Sequence, residues 1–284
     1  LYYKLLRKRV VFTAHNVNAG ARDGNDSFIN RLSLRVQYKL CDEIFVHTAK
    51  MKYELVGQFD IPGERISLIP YGINNVVPDT ALAPNEARER LGIGSDDKVL
   101  LFFGSIAPYK GLEYLLTAFD EIAKQDKGYR LIIAGKPKWD GGYWSLLEPT
   151  IASSAARDRI IRKIEFVSDE QTEVFFKAAD VLVLPYTHIF QSGILFIAYN
   201  FGLPVIASDV GSMREEIIDG RTGFVCKPRD RSDLARTIVR YFQSDLYRDL
   251  EFQRVEIKRY ANETHSWSEV ARITASIYSK LSKR

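Results

Sequence analysis

The chain has 284 residues, of which 46% are hydrophobic and 27% charged, and its formal net charge is +4. Such totals are ordinary for a globular protein and leave room for two domains. They argue against a nucleic-acid groove, because no basic run interleaves with aromatics, and against a membrane span, because no apolar run approaches about 18 residues.

Taken in chain order, the first eight residues, LYYKLLRK, are basic and aromatic but lack the long apolar stretch and cleavage site of a signal peptide. The chain begins with Leu and is inside an apolar strand by Val10–Ala14, so a fragment of a longer protein is expected. Strand-like runs follow at Glu43–His47, Arg65–Ile69, Val99–Phe103, Arg130–Ala134, Ile164–Val167, Val181–Pro185, Pro204–Ala207 and Gly223–Cys226. Several are continuously apolar, as parallel strands covered on both faces must be. Between them, Leu112, Leu115, Leu116, Phe119 and Ile122 recur at helical spacing, and Ser232 is placed to cap a helix burying Leu234, Ile238, Tyr241 and Phe242. The weakest link is the Pro-, Asn- and Asp-rich stretch 74–97, with a linker expected at Val77–Asn85, and Trp267–Leu281 reads as a separate amphipathic helix. Repeated βα units of this kind make a doubly wound sheet whose ligands sit beyond the carboxyl ends of the strands. Cys41 and Cys226 have no metal or redox spacing and read as reduced, structural thiols, which fits a cytoplasmic protein.

The residues richest in chemistry run from Gln191 to Gly211. A Ser192-Gly193 turn opens an apolar helix that stops at Gly202, and a buried strand follows at once. A helix start of this kind leaves backbone N–H groups unpaired and points the positive end of its dipole outward, which suits an anion such as phosphate. Upstream, VLLFFGSIAPYKG reads as a strand, a Gly104 turn and Lys110. A phosphate cradle and a lysine, each after a buried strand, suggest a nucleotide-diphosphate site.

These landmarks carry a resemblance. The ordered segments FTAHN, SLIPYGIN, GSIAPYKGL, LIIAGK, FVSD, AADVLVLPY and QSGI…FGLPVIASDVGSMREEIIDGRTGFV resemble a retaining GT-B glycosyltransferase of glycosyltransferase family 4, over most of residues 9–280. The resemblance implies an α/β, GT-B-like fold of two Rossmann-like domains with parallel sheets, the first of them incomplete. Its domains would be residues 1–78 on the acceptor side, 79–263 binding the nucleotide sugar, and a C-terminal helix, 264–284, crossing back with Trp267 as anchor. It implies transfer of a sugar from a UDP- or GDP-linked donor to a glycan or lipid-linked acceptor with retention, in surface polysaccharide assembly. No cofactor or metal is implied, and no strand ends in the Asp-x-Asp pair that would hold a divalent ion. Lys110 would then neutralise the departing diphosphate together with the amides of Ser192, Gly193 and Ile194.

Carried over residue by residue, Gly104 and Ser105 follow the first strand of the donor domain, Gly135 and Lys136 close the next, and Val167 and Asp169 lie on the nucleobase loop. Asp169 is equally placed to cap the following helix, Lys136 to be solvated, and Ser192 to be a plain helix cap. His15 matches a histidine facing the donor sugar, with a histidine held by local backbone as the alternative; His47, His188 and His265 are given no role. The chain departs from the family at Ser105 and Ala107, where an arginine is usual, and at Ile189 and Ile197, where paired glutamates are usual. A Gln-Ser-Gly branch fits better, with the Gln191 amide contacting the donor. These losses leave a nucleotide-binding module without turnover as the alternative function. A nicotinamide-dependent dehydrogenase fails for want of a G-x-G-x-x-G opening a helix. Arg31, Arg35 and Lys39 recur at i, i+4 and i+8, as either a solvated face or a peripheral contact with an anionic membrane at its inner face. With only three strands ahead of the linker, an exposed apolar patch in the first domain is expected, open to self-association, and the isolated chain is expected to bind nucleotide but transfer sugar poorly.

Overall fold

The structure is a computed structural model that describes residues 2–22, 25–73, 77–138 and 142–283, with only the backbone of Arg22. It divides into two units: Leu1–Gly72 with Ile189–Gln191 and Asn262–Arg284, and Ile73–His188 with Ser192–Ala261.

The first unit holds a parallel sheet in the order β1 (Val11–Thr13), β2 (Glu43–Val46) and β3 (Ile66–Leu68). The middle strand is buried throughout. Helices Phe28–Leu40 and Ala49–Phe59 connect the strands, started by Ser27 and Thr48, whose side chains accept from the amides of Asn30 and Met51. The core gathers Ala14, Val17, Tyr38, Ile44, Val46, Leu55 and Phe59, and takes in Phe190 from the short excursion of residues 189–191. The helix Trp267–Ser282 belongs to this unit. A Cβ on Gly72 would lie 2.6 Å from the Trp267 indole, and the Tyr278 ring stands edge-on to Phe45 at 6.5 Å.

Helix Phe28–Leu40 is amphipathic in an uneven way. It buries Tyr38, but its opposite face exposes Phe28 (80%), Ile29 (77%), Leu32 and Val36, beside Arg35 and Lys39. Arg31 is held by Asp26 and Arg35 by Asp60.

The second unit is built on six parallel strands: β4 (Lys98–Phe103), β5 (Tyr129–Ala134), β6 (Ile160–Lys163), β7 (Val181–Leu184), β8 (Val205–Ser208) and β9 (Gly223–Cys226). Their spatial order is β6-β5-β4-β7-β8-β9. The first strand of the unit is central and the chain winds outward on both sides, so the topological switch lies between β4 and β7. Continuous apolar sequence explains the centre: Val99 to Phe102 and Val181 to Leu184 are wholly inaccessible.

Three sequence-based expectations shift here. The run expected as a strand at Ile164–Val167 lies just beyond β6, which pairs with β5 through Leu131↔Ile160 to Ala134↔Lys163. As an edge strand, β6 needs little apolar content to hold its place, so the apolar run misleads; Phe166 is 78% exposed. The cap of helix Arg231–Phe242 is Asp230, not Ser232, because the Asp230 carboxylate accepts from the Asp233 amide at 2.9 Å. The stretch read as a linker is tied into the second unit: Val77 is buried, Asp79 pairs with Lys177 and Lys258, and the Thr80 amide donates to Glu173. Its polar residues, which look like a solvated connection, are spent on these partners.

Candidate functional site

At the carboxyl end of β4 the backbone turns at Gly104, with φ at +102°. A Cβ there would sit 2.3 Å from the Ile194 side chain and 3.9 Å from the Lys110 ammonium, so glycine is what lets strand, helix and cation converge. The neighbouring Gly135, at φ +150°, is packed more tightly still: its Cβ would lie 1.9 Å from the carbonyl oxygen of Gly104. Beyond these glycines the two loops join, the Ile106 amide donating to the Lys136 carbonyl and the Lys138 amide to the Ile106 carbonyl, both at 2.9 Å.

Lys110 ends a tight turn and is only 5% exposed. Its ammonium donates to the Tyr186 hydroxyl at 2.6 Å and stands 4.2 Å from that ring's centroid. Tyr186 follows β7 and is fully buried, and burial pushes its phenol above the usual range despite its hydrogen bond with Ser192. An ammonium has donors only, so the Tyr186 oxygen accepts from Lys110; the same hydroxyl shares a hydrogen bond with Ser192 Oγ, 3.3 Å away, in which either oxygen can donate. Ser192 precedes helix Gly193–Asn200, yet its hydroxyl makes no capping bond; it is turned toward Tyr186 instead of serving as the plain cap. The first-turn amides of that helix, those of Gly193 and Ile194 among them, have no acceptor within the helix. A cation, a phenol, a hydroxyl and a helix N-terminus thus meet at the carboxyl ends of β4 and β7, the switch point of the sheet.

The other expected residues are spread out. Ser105 is half-buried in the turn after Gly104, and the Lys136 side chain is exposed. Val167 and Asp169 follow β6, two strands out from β4 and so roughly 10 Å away along the sheet. Asp169 does not cap its helix; Ser168 does, in a capping box with Gln171. His15 and Gln191 belong to the first unit.

In that unit, His15 follows β1 and His47 follows β2, with the two rings stacked at 5.0 Å. His47, given no role from sequence, meets His15 Nδ1 at 3.0 Å through Nε2 and the Ile69 carbonyl at 3.2 Å through Nδ1. Burial, and next the neighbouring His15, pull the His47 pKa down to about 4. His265, whose Nδ1 meets the Tyr71 carbonyl, is also lowered by burial. An unfolded histidine titrates near 6.5, so the unfolded chain binds a proton between these values that the folded chain refuses. The stability linked to His47 is therefore complete above about pH 6.5 and falls as the pH drops toward 4, by at most about 1.4 kcal/mol per pH unit and less with solvent access, and His265 acts in the same direction. In urea unfolding followed across pH 4.5 to 7.5, His47→Gln should flatten this slope; an unchanged slope would deny His47 its part.

Tyr186 and His47 are the two residues that sequence reasoning missed. Tyr186 was signalled by its place between a buried strand and the Ser-Gly turn. His47 had only its position after β2, matching that of His15 after β1.

A groove of about 820 Å³ lined by Arg88, Asp180 and Tyr247 opens near the amino ends of β4 and β7. Arg88 and Asp180 are joined at 2.6 Å, and the Asp180 carboxylate also accepts from the Val99 amide. This is a structural joint.

Comparison with known proteins agrees with this architecture. Residues 84–262 match the family model described as glycosyl transferases group 1, and residues 1–75 match glycosyltransferase family 4. The chain therefore belongs to the group 1 glycosyl transferases, with a family 4-like N-terminal part. An uncharacterized glycosyltransferase of Methanocaldococcus jannaschii is 26% identical over 281 residues, spanning 96% of this chain and 70% of that protein. The D-inositol 3-phosphate glycosyltransferase of Streptomyces avermitilis is 31% identical over 247 residues, 84% of this chain and 51% of that one. The chain thus spans between about half and 70% of the length of these curated relatives. Among solved structures, Anabaena HepE in complex with UDP superposes with a TM-score of 0.82 at 19% identity, covering 99% of this chain and 74% of HepE. The fold is the GT-B fold, in parallel α/β sheets.

Proposed function

We propose that this chain carries the donor site of a retaining, metal-independent glycosyltransferase that moves a sugar from a nucleotide-diphospho-sugar to a glycan or lipid-linked acceptor in surface polysaccharide assembly. One observation carries this reading: buried Lys110, oriented by Tyr186 and Ser192 beside the N-terminus of helix Gly193–Asn200. The GT-B relative HepE, crystallised with UDP and with UDP-glucose, supports a nucleotide sugar as the donor. In this reading the Lys110 ammonium and the Gly193 and Ile194 amides hold the diphosphate. Their attraction grows as the glycosidic bond breaks and charge builds on the leaving group, so they favour the transition state over the ground state. Gly104, Ser105 and Gly135 let the backbone approach, Val167 and Asp169 border the base with Lys136 nearby, and Gln191 and His15 serve the sugar.

Calorimetric titration of UDP, GDP and ADP, then of their sugar derivatives with product analysis, tests the reading. A chain that binds no nucleoside diphosphate would remove it. Binding without product would favour the second reading, a nucleotide-binding module, which the apolar Ile189 and Ile197 at the family's glutamate positions support.

The exposed face of helix Phe28–Leu40 supports a peripheral membrane contact. Phe28, Leu32 and Val36 would enter the headgroup region while Arg35 and Lys39 meet anionic lipid. Co-sedimentation with anionic vesicles is expected, weakened by Leu32→Glu. A dimer in analytical ultracentrifugation with no vesicle binding would assign the face to self-association instead.

A further inference from the structure

The histidine pair of the first unit defines a hydrogen-bond direction. β1 and β2 run parallel with Thr13 opposite Phe45, so residues 15 and 47 fall opposite each other where the two strands end. The chain of contacts starts at the Ile69 carbonyl beyond β3, which can only accept; His47 Nδ1, at 3.2 Å, must therefore carry the hydrogen. A neutral imidazole has one N–H, so His47 Nε2 is a lone pair. That lone pair faces His15 Nδ1 at 3.0 Å, and His15 must donate to it. The His15 hydrogen is thereby placed on Nδ1, and its Nε2, on an exposed ring, is left as an acceptor. Tyr71 holds the pair from the side, with its ring edge-on to His47 at 5.0 Å and to His15 at 6.2 Å. Its carbonyl is in turn bound by His265.

We propose that His47 is a positioning residue that locks His15 in the Nδ1–H tautomer, so that His15 presents an Nε2 lone pair to a ligand hydroxyl. An unconstrained imidazole prefers the opposite tautomer; the tautomer is set by what the other nitrogen bonds. The arrangement selects chemistry. A group with a hydrogen to give, such as a sugar hydroxyl, is accepted, whereas one with lone pairs alone, such as a carbonyl or phosphate oxygen, is not. Because burial keeps His47 neutral, the relay holds its direction across the neutral range. That the hydroxyl belongs to the donor sugar rests on the function proposed above; the tautomer itself does not.

The test is nitrogen-15 NMR on the full chain, whose four histidines are resolved by long-range proton–nitrogen correlation and assigned with His15→Ala. At pH 7.5 wild-type His15 is expected to show a protonated Nδ1 and an unprotonated Nε2. His47→Asn keeps an amide nitrogen near the Nδ1 position for Ile69 but removes the group facing His15, and should release His15 to a mixture dominated by Nε2–H. His47→Gln puts an amide oxygen near the Nε2 position and should restore the lock. Wild-type His15 already protonated at Nε2, or a His15 unchanged by His47→Asn, overturns the proposal, and the wild-type spectrum decides even where a variant fails to fold.

Calorimetry supplies the second readout. His47→Asn should weaken the sugar nucleotide bound best by the wild type about tenfold and leave the bare nucleoside diphosphate unaffected, with His47→Gln recovering most of the loss. Equal weakening of both ligands overturns the hydroxyl contact. A locked tautomer in a chain that binds no sugar nucleotide would mean that the functional reading, and not the relay, has failed.

Discussion

Lys110→Met is expected to weaken nucleoside-diphosphate binding by about 1.5–3 kcal/mol, roughly ten- to a hundredfold, the worth of a charge-assisted contact. Methionine is the informative replacement. Lys110 is 5% exposed and its ammonium lies over the Tyr186 ring, so alanine would open a cavity and confound binding with stability. The unbranched thioether fills the same space and removes only the charge. Tyr186 and Ser192 remain hydrogen-bonded to each other in the variant, so the helix start keeps its geometry. Calorimetry with UDP decides the matter: equal affinity in variant and parent would remove Lys110 from the diphosphate.

Asp180→Ala is expected to act in the opposite way, destabilising the second unit by about 3–5 kcal/mol without entering the site. Its carboxylate bonds the Arg88 guanidinium at 2.6 Å and the Val99 amide at 2.8 Å, both away from solvent. Arg254 is half-buried nearby, donating to the carbonyls of Ala179 and Phe201, and desolvation lowers its pKa despite the pull of Asp180. Deleting the carboxylate leaves two guanidinium groups with no anion between them and an unpaired strand amide, and leaving a buried charge uncompensated costs more than the pair contributes. Asp180 precedes β7, whereas Tyr186 follows it, so the folded variant should bind nucleotide like the parent. A urea midpoint within about 0.5 kcal/mol of the parent would show that the joint contributes little.

These two residues also mark how much could be read in advance. Lys110, Ser192 and Gly193 were marked from sequence because each lies in the loop or helix start that follows a buried strand, and a strand end, a glycine and a helix start are local facts. Asp180 stood in the same apolar run and was passed over, since its partner Arg88 lies 92 residues away. Glycines 104 and 135 were marked as site residues for a ligand's sake. The structure adds that they are packed against the chain's own backbone and side chains first.

The sequence by itself determined the parallel α/β class, the positions of most strands and the residues that crowd the carboxyl ends of β4 and β7. Continuous apolar runs can be buried on both faces only in such a sheet, and the turn that ends a strand is written in the residues beside it. The tertiary structure decided what those residues touch. Tyr186 comes between Lys110 and Ser192, and His47 comes against His15, because parallel pairing brings together strand ends that lie 76 and 32 residues apart. It also decided that Asp230 caps where Ser232 was expected, that β6 begins earlier than its apolar run, and that Asp79 and Thr80, in the stretch expected as a linker, bind to helix Asp169–Ala178. Register, which one residue of slip would undo, is a property of the paired strands and is carried by neither strand alone.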